Sequence, residues 1–183
     1  GLMSKTAFML EIDQTRMQMA YENSPAVDSD TLYVSGDVNE VEPETLPQVD
    51  ILNISMPCVG FSVAGKSKNK IASAEEHSAG IAFIGALQII KQVKPVFIVG
   101  ENVKGYMGSV TETLVNSYLA RLGYHIDGGV FAGNEYGALE NRERHIWVAV
   151  LKGAEFALDM ITPMSQKPAT LGEVLEPIPD DSN

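Results

Sequence analysis

The chain has 183 residues, 45% hydrophobic and 20% charged, with a net charge of −11, which is the profile of one globular α/β-sized domain with a real core. Its one cysteine excludes an internal disulfide and fits a reducing cytosol. Residues 1–5 are not a charged segment leading into an apolar run, and the most apolar helical stretch, Ala79 to Ile90, is too short to span a bilayer.

In chain order, Thr6 to Ile12 reads as a buried strand ending in Glu11 and Asp13, and Gln14 to Tyr21 as a helix. Leu32 to Ser35 is a short strand before Gly36-Asp37, and the acidic, Pro-rich stretch Asn39 to Gln48 is a surface connection. Asp50 to Ser55 is the next strand, with Pro57-Cys58 past its end. Residues 59–75 are rich in Gly, Ser and Lys without hydrophobic period, the mark of a long functional loop. Glu76 to Gln92 has the 3.6-residue spacing of a helix. Pro95 to Val99 is a continuous apolar strand of the kind a parallel sheet buries on both faces, with Gly100-Glu101-Asn102-Val103 beyond it. Ser109 or Thr111 caps a helix that Gly123 ends. Tyr124 to Ala132 and Arg144 to Leu151 are two further strands joined by the turn Gly133 to Arg142, and the last thirty or so residues are Pro-rich and poorly periodic.

Strands alternating with helices predict a parallel α/β sheet, whose ligands sit beyond the carboxyl ends of the strands. Glu11, Asp37, Cys58 and Glu101 all fall there. Singly, each has a plain structural explanation. A lone cysteine is usually a small buried hydrophobe, Glu101 a solvated strand-end acid, Asp37 a turn residue, and Arg142 and Arg144 partners of Glu140 or Glu143. The net charge argues against nucleic acid, but eight acids without a Lys or Arg sit in residues 22–50, and six acids with two lysines in residues 152–183. The rest is close to neutral and carries a Lys66, Lys68, Lys70 cluster.

Together these residues resemble one family. Residues 50–62, DILNISMPCVGFS, look like the fourth motif of cytosine-C5 methyltransferases, and Glu101-Asn102-Val103 matches the family's Glu-Asn-Val motif. Asn134 to Val150 resembles its Tyr-Gly…Gln-x-Arg-x-Arg segment and following strand. Leu10-Glu11-Ile12-Asp13 and Gly36-Asp37-Val38 resemble the two cofactor-edge motifs, and residues 170–175 the start of the target-recognition region. The implied fold is the Rossmann-like one of S-adenosylmethionine-dependent methyltransferases: a mostly parallel sheet with an antiparallel last strand, here incomplete at the N-terminal strand. The expected division is a partial catalytic domain over 1–151 and a recognition region or linker over 152–183.

The resemblance implies methyl transfer from S-adenosylmethionine to C5 of a cytosine in double-stranded DNA. Cytosine C5 is a poor nucleophile, and a thiolate adding to C6 turns the ring into an enamine; Cys58 takes that role. The attack pushes electrons towards N3, so Glu101 must be protonated at least transiently, which calls for a water-poor pocket. Arg144 holds the cytosine O2, and Arg142 sits near a backbone phosphate or orders the catalytic loop. Glu11 accepts from the ribose hydroxyls, Ile12 and Val38 pack near the adenine, Asp37 accepts from its amino group, and Pro57 lines the cofactor side. The base must be flipped out of the duplex. The loop after Val59 closes over it, with Ser62, Lys66 and Asn102 towards the nucleic acid. No metal is implied.

This chain departs from the pattern in four places. The family's opening glycine-rich strand-turn is missing before Gly1, and the chain stops near the start of the recognition region. Glu140 stands for the usual Gln, and His77-Ser78-Ala79-Gly80 replaces a more usual Asp-Ser-Arg-Gly. The expectations are a fragment that binds cofactor poorly and transfers no methyl group alone, with a second chain or further segments supplying the glycine-rich motif and recognition domain. The expected setting is the cytoplasm of a bacterium or archaeon, or a phage, in restriction-modification or as a solitary methylase. The alternatives are a tRNA cytosine-C5 methyltransferase, whose typical Thr is Ser62 here, and a non-catalytic methyltransferase-like binding module. A thiol hydrolase would need a histidine near Cys58, and His77, His125 and His145 have no telling placement.

Overall fold

A computed structural model describes residues 4–57, 78–154, 156, 158, 161–163, 165 and 167–175. Cys58, Ser62 and Lys66, the lysine cluster and His77 lie outside them.

The chain runs β1 (Phe8–Glu11), α1 (Gln14–Asn23), β2 (Leu32–Ser35), β3 (Ile51–Ser55), α2 (Ser78–Val93), β4 (Phe97–Val103), α3 (Val110–Leu122), β5 (Tyr124–Ala132), β6 (Glu143–Leu151) and a short α4 (Leu171–Val174). β1 and β2 form a parallel pair, and the other four strands form a sheet in the order β3-β4-β6-β5. β3 and β4 are parallel, whereas β6 is antiparallel to both β4 and β5. The expected mixture of parallel strands and one reversed strand near the C-terminus is present. Among the described residues, β1 pairs only with β2 and β3 only with β4, so the sheet falls into two parts.

Local chemistry explains the element ends. Asp13 caps α1 by accepting from the backbone N–H groups of Thr15 and Arg16 at 2.9 and 3.3 Å. Ser109 caps α3 by accepting from the Glu112 N–H, and Gly123 ends that helix with φ at 97°, a left-handed conformation suited to glycine. The acidic connection after β2 carries two 3-10 turns, Val38–Glu40 and Pro43–Thr45, and buries Leu46.

β4 extends four residues beyond the end expected from sequence, which corrects the placement of Glu101 and Asn102 from past the strand to inside it. The packing of Gly100 explains why the strand runs on. Gly100 lies directly opposite Trp147, and a Cβ there would fall inside the indole ring. The glycine is therefore a seat for a cross-strand tryptophan.

Alternation gives β4 a buried face of Ile98, Gly100 and Asn102 and a half-buried face of Phe97, Val99, Glu101 and Val103. The buried face and its β6 partners Ala149, Trp147 and His145 pack under α2 and α3. The core there includes Phe83, Ile89, Ile90 and Val93 of α2, Val115 and Leu119 of α3, and Leu52 of β3. Each such side chain taken from water contributes roughly 1.5–3 kcal/mol. The opposite face has a smaller cluster of Val148, Val150 and Leu158 with Phe97, Phe131 and Phe156. Gly85 of α2 touches the Val38 backbone so closely that a Cβ would come within 2.6 Å of its carbonyl oxygen. The Gly85 N–H also donates to Asn39 Oδ1 at 3.1 Å, and these contacts fix the edge carrying Asp37 and Val38 against α2.

Candidate active site

The carboxyl ends of β3 and β4 and the beginning of β6 meet at one place. Because β6 is antiparallel to β4, its first residues lie beside the last residues of β4, and Arg144 pairs with Val103. Opposed residues share a face of the sheet, so Arg144 and Glu101 project on the same side, away from α2 and α3. Arg144 Nε meets Glu101 Oε1 at 2.7 Å, the length of a charge-assisted hydrogen bond. Ser55, the last residue of β3 and the register partner of Glu101, donates its hydroxyl to Glu101 Oε2 at 2.9 Å. Both carboxyl oxygens of Glu101 are therefore engaged, and the Arg144 and Glu101 side chains remain 23% and 39% exposed. Against the expected water-poor pocket, the described residues leave this carboxyl partly open to solvent. Arg144 Nη1 also donates to the Glu143 carbonyl at 2.8 Å.

Arg142 precedes β6, is exposed and lies 3.9 Å from Glu140. It does not touch Glu101, but it and Arg144 line a common apolar cavity of about 240 Å³ with Phe131, Tyr136 and Ile146. Pro57 is exposed just past β3.

Asn102 is only 3% exposed and faces the helices. Its Nδ2 donates to the Met56 carbonyl at 3.4 Å and its Oδ1 accepts the Val103 N–H at 2.8 Å. The side chain therefore has no surface to offer a nucleic acid, and the expected contact is replaced by a hold on the backbone that leads into Pro57. Opposite it on β6, His145 is 3% exposed, with Nε2 3.2 Å from Glu112 Oε1. Glu112 Oε2 in turn accepts the Gly108 N–H, in the turn between β4 and α3. Burial pushes the His145 pKa below its ordinary 6.5, with the Glu112 carboxylate opposing. The neutral ring donates from Nε2 to Glu112, leaving Nδ1 a buried acceptor with no hydrogen-bond partner among the described residues.

At the other part of the sheet, Glu11 ends β1 half-buried, with Oε1 accepting the Asp13 N–H at 3.0 Å. Ile12 beside it is 68% exposed, an isolated apolar surface. Asp37 follows β2, and its Oδ1 accepts from the Asn39 N–H and side-chain amide, both at 2.9 Å. Val38 is half-buried against the main core.

Sequence reasoning brought out Glu101 and Arg144 but missed Ser55, His145 and Glu112. Ser55 could have been found from register: a strand-end serine in a parallel neighbour faces the same side as the strand-end acid beside it. His145 carried the signal of a polar residue at a core position of an alternating strand.

A family model for C-5 cytosine-specific DNA methylases matches residues 2–182. Type II methyltransferase M.Bsp6I of Bacillus sp. (strain RFL6) is 33% identical over 139 residues, covering 74% of this chain and 42% of the relative. Type II methyltransferase M1.ScrFI of Lactococcus lactis subsp. cremoris is 30% identical over 155 residues, covering 80% of this chain and 38% of the relative. This chain thus spans well under half of either relative. Among solved structures, a putative DNA modification methyltransferase encoded within a prophage of E. coli superposes with a TM-score of 0.74 at 22% identity, covering 94% of this chain and 48% of that one. The Spodoptera frugiperda DNMT2 mutant structure gives 0.69 at 19% identity, covering 98% and 55%. At these identities the likeness concerns the fold.

Proposed function

The chain belongs to the C-5 cytosine-specific DNA methylase family, and from that premise we propose that it carries the base-activating half of a DNA cytosine-C5 methyltransferase centre. The observation that carries this reading is the Glu101–Arg144 contact of 2.7 Å at the carboxyl ends of β3 and β4, with Pro57 two residues past the end of β3.

In this reading the Cys58 thiolate adds to C6 of a flipped-out cytosine, and the electron pair of the C5–C6 double bond becomes available at C5. Glu101 supplies a proton or hydrogen bond at N3, and Arg144 donates to the carbonyl O2 where negative charge gathers. Arg142, exposed and cationic, meets a phosphate, as do Ser62 and Lys66 on the loop after Cys58. Asn102 holds the Met56 carbonyl and so sets the direction in which Pro57 delivers the thiol.

S-adenosylmethionine fits the donor set at the ends of β1 and β2. Glu11 accepts from ribose hydroxyls and Asp37 from the adenine amino group, while Ile12 and Val38 offer apolar surface to the ring and Pro57 faces the methyl end. The bound cofactor supplies an electrophilic methyl group. Among the described residues β1 and β3 each have an unpaired edge, which fits a further strand lying parallel to both, contributed by another segment or a second chain.

The test is a mechanism-based trap. The full-length protein, with whatever segment or second chain supplies the further strand and the recognition region, is incubated with S-adenosylmethionine and duplex DNA carrying 5-fluorocytosine, alongside a tRNA with the same substitution. A denaturant-stable DNA adduct mapping to Cys58, absent in Cys58→Ser, is expected. An adduct on tRNA alone moves the reading to RNA, and no adduct on either polymer refutes it.

A further inference from the structure

The two oxygens of the Glu101 carboxyl are not equivalent. Oε1 faces Arg144 Nε, which is always a donor, at 2.7 Å. A proton on Oε1 would leave a poorer acceptor for that permanent donor, so Oε1 is the oxygen favoured to stay bare. Oε2 faces the Ser55 hydroxyl at 2.9 Å. A hydroxyl both donates and accepts, so Ser55 remains a competent partner whether Oε2 is bare or protonated.

We propose that Ser55 is a positioning residue that makes Oε2 the proton-bearing oxygen of Glu101. This rests on the reading of Glu101 as the group at the cytosine N3. Ser55 closes the side of the carboxyl that Arg144 leaves open, so the carboxyl plane is fixed at both corners. As the Oε2 proton passes to the ring nitrogen, the electron pair stays on Oε2 and the Ser55 hydroxyl turns to donate to it. The placement follows from the ladder: Ser55 and Glu101 are register partners on adjacent parallel strands and project from the same face. Ser55 is exposed at the end of β3, so changing it disturbs little packing.

The test has two arms. Nuclear magnetic resonance of the chain with carboxyl-labelled glutamate, assigned by Glu101→Gln, reads the deuterium-induced shift of the Glu101 Cδ signal between light and heavy water. The shift transmitted through the Ser55 hydrogen bond is expected in the wild type, lost in Ser55→Ala and kept in Ser55→Thr. In the 5-fluorocytosine trap, Ser55→Ala should slow adduct formation roughly tenfold, as expected for a lost hydrogen bond to a charged group, with DNA affinity unchanged and the rate restored by Ser55→Thr. An unaltered isotope shift in Ser55→Ala overturns the proposal. So does an unaltered trapping rate in a protein that Glu101→Gln slows. Absence of any adduct in the wild type sinks the reading of the site instead, while the isotope arm still judges the Ser55 bond.

Discussion

Gly100→Ala tests whether Trp147 sets the path of the strand that carries Glu101. The added methyl group would fall within the indole of Trp147, a side chain only 6% exposed and packed among the main core residues. The atoms met are ring atoms of a rigid side chain, so neither partner can yield by turning a flexible end. Overpacking a filled core costs about 1–3 kcal/mol, and the depth of this overlap puts the cost at the upper end. For a domain of this size each kcal/mol moves the midpoint by about 2–4 °C, so Gly100→Ala should lower it by about 6–12 °C in a thermal scan. Trp147→Phe alone should also destabilise, by emptying part of the core. Gly100→Ala with Trp147→Phe should be more stable than the sum of the two single losses, by about 1–3 kcal/mol, because the smaller ring vacates the space the methyl takes. Additivity within about 0.5 kcal/mol, or a Gly100→Ala midpoint within about 2 °C of wild type, would refute the reasoning.

His145 gives stability a pH dependence. Its folded pKa lies below the ordinary 6.5 because burial disfavours the charged ring. As pH falls through about 6.5 the unfolded chain takes up a proton that the folded chain does not, so stability declines from there until the folded group also titrates. His145→Gln should flatten that part of the curve in denaturant titrations, and an unchanged slope would count against it. Asn102→Ala should cost about 1–3 kcal/mol, because it strips partners from the Met56 carbonyl and the Val103 N–H. The same variant should slow 5-fluorocytosine trapping while leaving Cys58 as reactive towards a small alkylating reagent as in the wild type.

Much of the fold was legible in the sequence because it is written in local signals. The apolar runs of β3 and β4, the serine and glycine bracketing α3, and the hairpin strands β5 and β6 all appear where expected. The end of β4 was not legible, because a glycine inside a strand looks like a stop until the tryptophan opposite is known. The helix start at Ser78 follows residues outside the described set, so the expectation for Glu76 and His77 has no counterpart here. At the site, Glu101 and Arg144 stood out by motif. The tertiary partners Ser55, Glu112 and His145 did not, since hydrogen bonds between residues 46 or 33 positions apart depend on strand register rather than on local pattern.

The reversed direction of β6 makes pairing alignment a functional variable. A one-residue slip of β6 along β4 would invert its pleat, sending Arg144 beneath α2 and α3 and presenting His145 to Glu101. Trp147 seated on Gly100 acts as the detent against that slip, since no other β4 position from Phe97 to Val103 is a glycine. Insertions in the connection from Gly133 to Arg142 can lengthen the loop without shifting this alignment, whereas a single residue inserted between Arg144 and Trp147 would turn the guanidinium to the wrong side. Drift in length between relatives should therefore be tolerated before β6 and excluded from its first five residues.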